Sequence, residues 1–192
     1  MTGILLAGGK SKRMGMDKAF LRFKGRFLYE YPLAVLEKSC NEILISSSDK
    51  RFKKTGYTLV QDIFFNTGPM GGVYSCLKYA SCERSLVLSC DIPFISVEFI
   101  NKLAEGSKNY SITIGNNKRS QPEPLAGVYQ KRILKTMEQY LQTGDYKMSN
   151  LLNLPDVRII DTCRDGFDPD IIFFNVNSRD DLRKLNKAGE LK

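Results

Sequence analysis

Four short apolar runs, Ile4–Ala7, Ile43–Ile45, Tyr57–Val60 and Leu86–Leu88, each bounded by polar or glycine residues, alternate with amphipathic segments. The runs have strand length and lack polar alternation, as strands buried on both faces do. Between them, Tyr31–Cys40, Met70–Ser81 and Val97–Lys108 carry apolar residues at three- and four-residue spacing, the signature of helices with one face against a core. Ser96 is placed to cap the third, with Glu98 and Glu105 on its polar side. Strand, helix, strand, helix predicts an α/β fold: three layers around a mostly parallel sheet with right-handed crossovers. Ligands of such sheets bind outside the carboxyl ends of the strands.

The second half is less regular. Tyr110–Ile114 and Leu125–Tyr129 read as strands around a polar loop, and Lys131–Leu141 as a helix closed by Gly144 and Asp145. A further apolar run, Ile171–Phe174, precedes Asn175 to Leu182, where Ser178 is expected to cap a last basic helix. No repeat or linker interrupts the 192 residues, which are enough for one domain with a substantial core.

The chain contains no histidine, which removes Ser-His-Asp and Cys-His catalysis, imidazole acid–base chemistry and His-ligated metals together. A metal here must be held by oxygen, which favours a hard cation such as Mg²⁺. The five cysteines, Cys40, Cys76, Cys82, Cys90 and Cys163, are odd in number and show no Cys-x-x-Cys spacing, so they are expected to be mostly buried apolar residues rather than a disulfide frame or zinc cluster. Lys and Arg number 29 against 21 Asp and Glu, a net +8 that favours anionic partners. No run of about 18 apolar residues could span a bilayer, and Met1 leads straight into a strand with no basic leader; a cytoplasmic protein is expected.

The loop after the first run, Leu5 to Lys18, reads LLAGGKSKRMGMDK. A Walker A loop ending in Gly9-Lys10-Ser11 would require glycine at position 4, which is Ile4. A dinucleotide-binding Gly-x-Gly-x-x-Gly fails because Gly8 and Gly9 are adjacent and the next glycine is Gly15. What remains is a longer glycine-rich loop whose backbone N–H groups can approach phosphate while Lys10, Lys12, Arg13 and Lys18 neutralise it; a solvated basic turn is the competing reading.

The spelling of this loop, Leu6-Ala7-Gly8-Gly9, Ser11, Arg13-Met14-Gly15 and Asp17-Lys18, resembles the signature of nucleotidyltransferases related to molybdenum cofactor guanylyltransferase. The resemblance continues in order through Gln61-Asp62, Gly68-Pro69-Met70-Gly71-Gly72, Ser89-Cys90-Asp91-Ile92-Pro93-Phe94, Pro124-Leu125-Ala126-Gly127-Val128-Tyr129 and Phe174-Asn175-Val176-Asn177, so it spans nearly the whole chain. It implies a single nucleotidyltransferase domain, 1–192, with a Rossmann-like nucleotide-binding half at about 1–108 and an acceptor-binding half at about 109–192. The implied reaction moves GMP from GTP to molybdopterin carrying molybdenum and releases pyrophosphate, with Mg²⁺ as cofactor.

The same resemblance assigns Lys18, Arg13 and Asp91 to catalysis and Leu6, Ala7, Gly8, Gly9, Lys18, Asp62, Gly68 and Asp91 to the nucleotide. It gives Asp91 to the metal, and Asn175 and Asn177, two apart on an extended segment, to the acceptor. Gly71 and Gly72 would let backbone approach the ligand, and Lys118 and Arg119 would guide the acceptor. Such a reaction needs positioning and charge neutralisation more than a protein nucleophile, so a histidine-free chain can perform it. The chain departs from the family pattern at Ser46-Ser47-Ser48-Asp49, which lacks the asparagine and arginine often found near the base. GTP and molybdopterin are the expected partners, with handover among other cofactor-assembly proteins, and neither nucleic acid nor membrane is expected. A cytidylyl- or sugar-1-phosphate nucleotidyltransferase, or a non-catalytic nucleotide-binding protein on the same fold, are the alternatives.

Overall fold

The computed structural model describes residues 1–8, 17–177 and 180–183. The central strand β1 (Thr2–Leu6) is buried along its whole length and pairs in parallel with β4 (Glu42–Ser46) on one side and β6 (Arg84–Ser89) on the other. Beyond β4 lies β5 (Thr58–Val60), also parallel. On the other side β8 (Pro122–Gln130) runs antiparallel to both β6 and β7 (Ile112–Asn116), and β9 (Val157–Ile160) closes the edge parallel to β7. The result is one seven-stranded sheet in the order β5-β4-β1-β6-β8-β7-β9. A separate two-stranded hairpin joins β2 (Arg22–Phe23) to β3 (Arg26–Phe27).

Side chains alternate across the sheet, as the pleat requires. Leu5, Ile43, Ile45, Leu86 and Leu88 point into one apolar cluster, Ile4, Leu6, Leu44 and Val87 into another. The first cluster is closed by α1 (Glu30–Ser39), through Leu33 and Leu36, and by α3 (Val97–Gly106), through Phe99, Ile100 and Leu103. The second is closed by α2 (Pro69–Tyr79), through Met70, Val73, Tyr74 and Leu77, and by α4 (Leu134–Thr143), through Met137 and Leu141. Helices therefore cover both faces, giving the three-layer α/β architecture expected from the pattern. The two faces dominate folding free energy, since each fully buried Leu or Ile contributes about 1.5–3 kcal/mol.

The predicted elements of the first half form within about two residues of their expected ends, and the Ser96 hydroxyl accepts from the Phe99 N–H as a helix cap should. Lys131–Leu141 starts as a tight 3-10 turn, Lys131–Ile133, before becoming α4, which ends at Gly144. Three outcomes differ from expectation. Strand β9 was not expected: Arg158 interrupts its short apolar run, Val157-Arg158-Ile159-Ile160, of which only Ile160 is buried. The apolar stretch Ile171–Phe174 begins inside a short helical turn, α5 (Pro169–Ile172), capped by Asp168, rather than as a regular element of its own. Of the cysteines, only Cys76 is fully buried; Cys40, Cys82 and Cys90 are half-buried and Cys163 is exposed. The expected basic helix after Ser178 falls largely outside the described residues.

Among the described residues, no helix is long and apolar enough to cross a membrane.

Candidate active site

The carboxyl ends of β1, β4 and β6 meet at one edge of the sheet. The Ala7 N–H donates to the Ser46 carbonyl at 3.1 Å and the Cys90 N–H to the Leu6 carbonyl at 3.1 Å, so the chain leaves all three strands in register. Leu6 and Ala7 are buried, which leaves their backbone, not their side chains, for any ligand. Gly8 is exposed, and a Cβ there would press on the Ser46 carbonyl at 3.3 Å. Gly9, Lys10, Ser11, Lys12, Arg13, Met14 and Gly15 lie outside the described residues.

The chain is again described at Asp17, whose carboxylate accepts from the Ala19 N–H and so caps a single 3-10 turn, Lys18–Phe20. The turn aims Lys18 at the sheet edge. Its ammonium donates to Asn177 Oδ1 at 2.6 Å and lies 3.7 Å from Asp91 Oδ2. Asp91 is set by the β6 terminus: the Ser89 hydroxyl donates to its Oδ1, and its own carbonyl accepts from the Val176 N–H at 2.9 Å. Val176 is wholly buried in a small cluster with Leu21, Phe23 and Leu28, against which Phe94 and Phe174 pack. The β2–β3 hairpin thus clamps the 174–177 segment, and Asn177 with it, beside Lys18. Asn175 donates to the Phe173 carbonyl at 3.1 Å.

A second group stands toward β5. Asp62, two residues past that strand, is half-buried, and burial pushes its carboxyl above the ordinary value, with the Ser46 hydroxyl pulling the other way. Gly68 precedes α2 with φ 64, a left-handed conformation that side chains resist, and Pro69 starts the helix. Gly71 and Gly72 were expected to let a ligand approach; they are instead filled by protein. A Cβ at Gly71 would meet Thr67 Oγ1 at 2.0 Å and the Phe64 carbonyl at 2.9 Å, and one at Gly72 would meet Ser46 Oγ at 2.5 Å. Their smallness seats α2 on the sheet.

Beyond Asn177, a cleft of about 560 Å³ opens between the β7–β8 loop and the 169–177 segment. Asn175 and Asn177 line it, as do Lys118, Arg119 and Glu123. Lys118 pairs with Asp170 at 2.9 Å. The sequence-predicted residues therefore separate into a central trio (Lys18, Asp91, Asn177), a β5-side group (Asp62, Gly68) and a cleft (Asn175, Lys118, Arg119).

Two contributions were not anticipated. Arg51 pairs with Asp17 at 2.7 Å and with Asp49, and its guanidinium lies 3.8 Å from the Phe20 ring centroid, so it braces the turn that carries Lys18. Ser89 orients Asp91; the Ser-x-Asp spacing at the end of an apolar run was the available signal.

No group of three or more potential metal-ligating side chains occurs among the described residues. The donor set nevertheless suits Mg²⁺, which is held by one or two carboxylates together with substrate phosphates. Asp91, 17% exposed in its side chain, supplies such a carboxylate at the sheet edge.

Residues 3–159 match the family described as MobA-like NTP transferase domain. The chain is 30% identical over 192 residues to "Probable molybdenum cofactor guanylyltransferase" of Pelotomaculum thermopropionicum, covering 98% of this chain and 93% of that one. It is 29% identical over 192 residues to "Molybdenum cofactor guanylyltransferase" of Desulfosudis oleivorans, covering 98% and 95%. Among solved structures, molybdopterin-guanine dinucleotide biosynthesis protein A from Archaeoglobus fulgidus superposes with a TM-score of 0.81 at 25% identity over 100% of both chains.

Proposed function

Since the chain belongs to the MobA-like NTP transferase family, we propose that it is a molybdenum cofactor guanylyltransferase, transferring GMP from GTP to molybdopterin carrying molybdenum. The observation that carries the residue assignment is the convergence of Lys18, Asp91 and Asn177 at the sheet edge, between the β5-side group and the cleft.

In this reading an oxygen of the acceptor's terminal phosphate attacks the α-phosphorus of GTP. A new P–O bond forms, the bond to the bridging α–β oxygen breaks, and pyrophosphate leaves with that electron pair. The chain's work is to hold two polyanions in line and neutralise the charge that builds between them. Lys18 is the cation at the centre, held by Asn177 so that its charge does not have to be ordered during reaction. Asp91 would hold Mg²⁺, which when bound supplies further neutralisation of the phosphates. Gly8 and the backbone of Leu6 and Ala7, with Gly9 and Arg13 of the same loop, would receive the triphosphate. Asp62 and Gly68 would border the nucleoside, and Asn175 and Asn177 the acceptor.

Calorimetric titration with GTP, CTP, ATP and UTP, with and without Mg²⁺ at fixed salt, tests the nucleotide half without the labile acceptor. Preference for GTP in the presence of Mg²⁺ is the expected result. Preference for CTP or UTP would reassign the chain to a sister nucleotidyltransferase, and absence of binding to all would remove the reading.

A further inference from the structure

The cleft that Asn177 lines contains a carboxylate that the reaction above does not use. Glu123 stands at the amino end of β8, and the register Leu88↔Ala126 lays that end alongside the part of β6 that leads to Asp91. It lines the cleft with Asn117, Gln121, Phe173 and Phe174. Its Oε1 accepts from Asn117 Nδ2 at 2.9 Å, while among the described residues its Oε2 has no hydrogen-bond partner and no cation pairs with it. Burial raises its carboxyl above the ordinary value, only partly offset by Asn117. In a cleft that Lys118 and Arg119 also line, a half-buried carboxylate that makes no ion pair among the described residues is costly and repels phosphate. It is useful only to a ligand that offers hydrogen-bond donors there.

We infer that Glu123 accepts hydrogen bonds from the amino-pyrimidinone edge of a bicyclic pterin, reading its exocyclic 2-amino group and adjacent N3–H, and so sets which acceptor enters the cleft. The inference rests on the proposed function, which makes molybdopterin the acceptor. A pterin is flat, and the half-buried Phe174 supplies apolar lining to the cleft. Its two adjacent donors match a carboxylate that has acceptor capacity left. The cleft volume, about 560 Å³, is within the range of small-molecule sites. With the ring at Glu123, the phosphate-bearing arm is left to the Asn177 and Lys18 end, where positive charge is available.

Guanine carries the same donor edge, so GTP is the other source of this chemistry. Sheet order argues for the acceptor: β8 lies across β6 from β1, β4 and β5, the strands whose ends carry Gly8, Ser46 and Asp62.

The test is a fluorescence titration of the full chain with pterin and with lumazine, which has a carbonyl in place of the 2-amino group, alongside GTP and inosine triphosphate, which lacks the guanine amino group. Wild type is expected to prefer pterin to lumazine by about 10- to 100-fold, the range for a two-donor pair against a mismatched edge. In Glu123→Gln, whose amide can donate to the lumazine carbonyl, that preference collapses while the ratio of GTP to inosine triphosphate affinity stays. The wild-type comparison needs no variant and stands even if Glu123→Gln folds poorly. No pterin preference in wild type, a preference that survives Glu123→Gln, or loss of guanine discrimination in its place would each overturn the inference. A wild-type chain that prefers pterin yet binds no GTP would keep the role of Glu123 and remove GMP transfer.

Discussion

The Lys18 ammonium donates to Asn177 Oδ1 across 2.6 Å, joining residues 159 positions apart, while Asp91 Oδ2 lies 3.7 Å from the same nitrogen. An amide oxygen and a carboxylate on one ammonium keep the cation fixed, and neither neutralises it as a close ion pair would. In the proposed function this ordered cation is the one that meets the incoming phosphates.

Lys18→Ala should lower kcat for GMP transfer by about 100-fold or more, the loss typical when a preorganised charge is removed from a transition state. Asn177→Ala should lower kcat less, because the ammonium remains but must be ordered during turnover. Steady-state kinetics with pyrophosphate release as readout checks both; a larger loss in Asn177→Ala than in Lys18→Ala would reverse the assigned roles.

Asp91→Ala should abolish turnover that depends on a divalent cation. Ser89→Ala, which removes only the hydroxyl that orients Asp91, should instead raise the Mg²⁺ concentration needed for half-maximal rate. Titrating the rate against Mg²⁺ separates the two, and a Ser89→Ala curve that overlays wild type would deny the hydroxyl its orienting part.

Gly71→Ala should destabilise the fold by about 1–3 kcal/mol, the cost of overpacking a well-filled site. The Thr67 hydroxyl at 2.0 Å could rotate, but the Phe64 carbonyl at 2.9 Å is backbone and must move with its loop. Thermal melting against wild type is the check. An unchanged midpoint would mean that the loop before α2 yields freely.

Asp62→Asn should melt higher than wild type at neutral pH while binding nucleotide more weakly. Burial raises the Asp62 carboxyl on folding, so the native state holds its proton more tightly than the unfolded chain. That contribution favours folding below the unfolded pKa, about 4, and is lost as pH rises through the raised native value. Removing the charge therefore helps at pH 7, and the gap should close as pH falls below about 4. Equal midpoints at pH 7 would show that Ser46 already compensates the buried charge.

The interior elements were legible because their residues obey a local rule. Leu5, Ile45 and Leu88 face one helical layer and Ile4, Leu44 and Val87 the other, so a short unbroken apolar run bounded by polar residues or glycine identifies the strands that carry them. Strand β9 and the β2–β3 hairpin were not legible. Arg158 splits the short apolar run of β9, and two-residue strands leave no periodic trace. Asp91 and Lys18 were placed by motif, each in its own role; their approach, the bracing of Asp17 by Arg51 and the place of Glu123 in the cleft join segments that the sequence does not bring close.

The sequence by itself determined the layered α/β architecture, the absence of imidazole chemistry and the residue types at the carboxyl ends of the strands, since each follows from composition or from spacing within one element. Only the tertiary structure decided that Asn177 holds Lys18, that Gly71 and Gly72 seat a helix rather than a ligand, and that Glu123, which makes no ion pair among the described residues, lines the same cleft as Lys118 and Arg119. These are facts of distance between separate elements. They are set by how Val176 and the β2–β3 hairpin pack and by which strands become neighbours in the sheet, and chain-local periodicity carries no information about either.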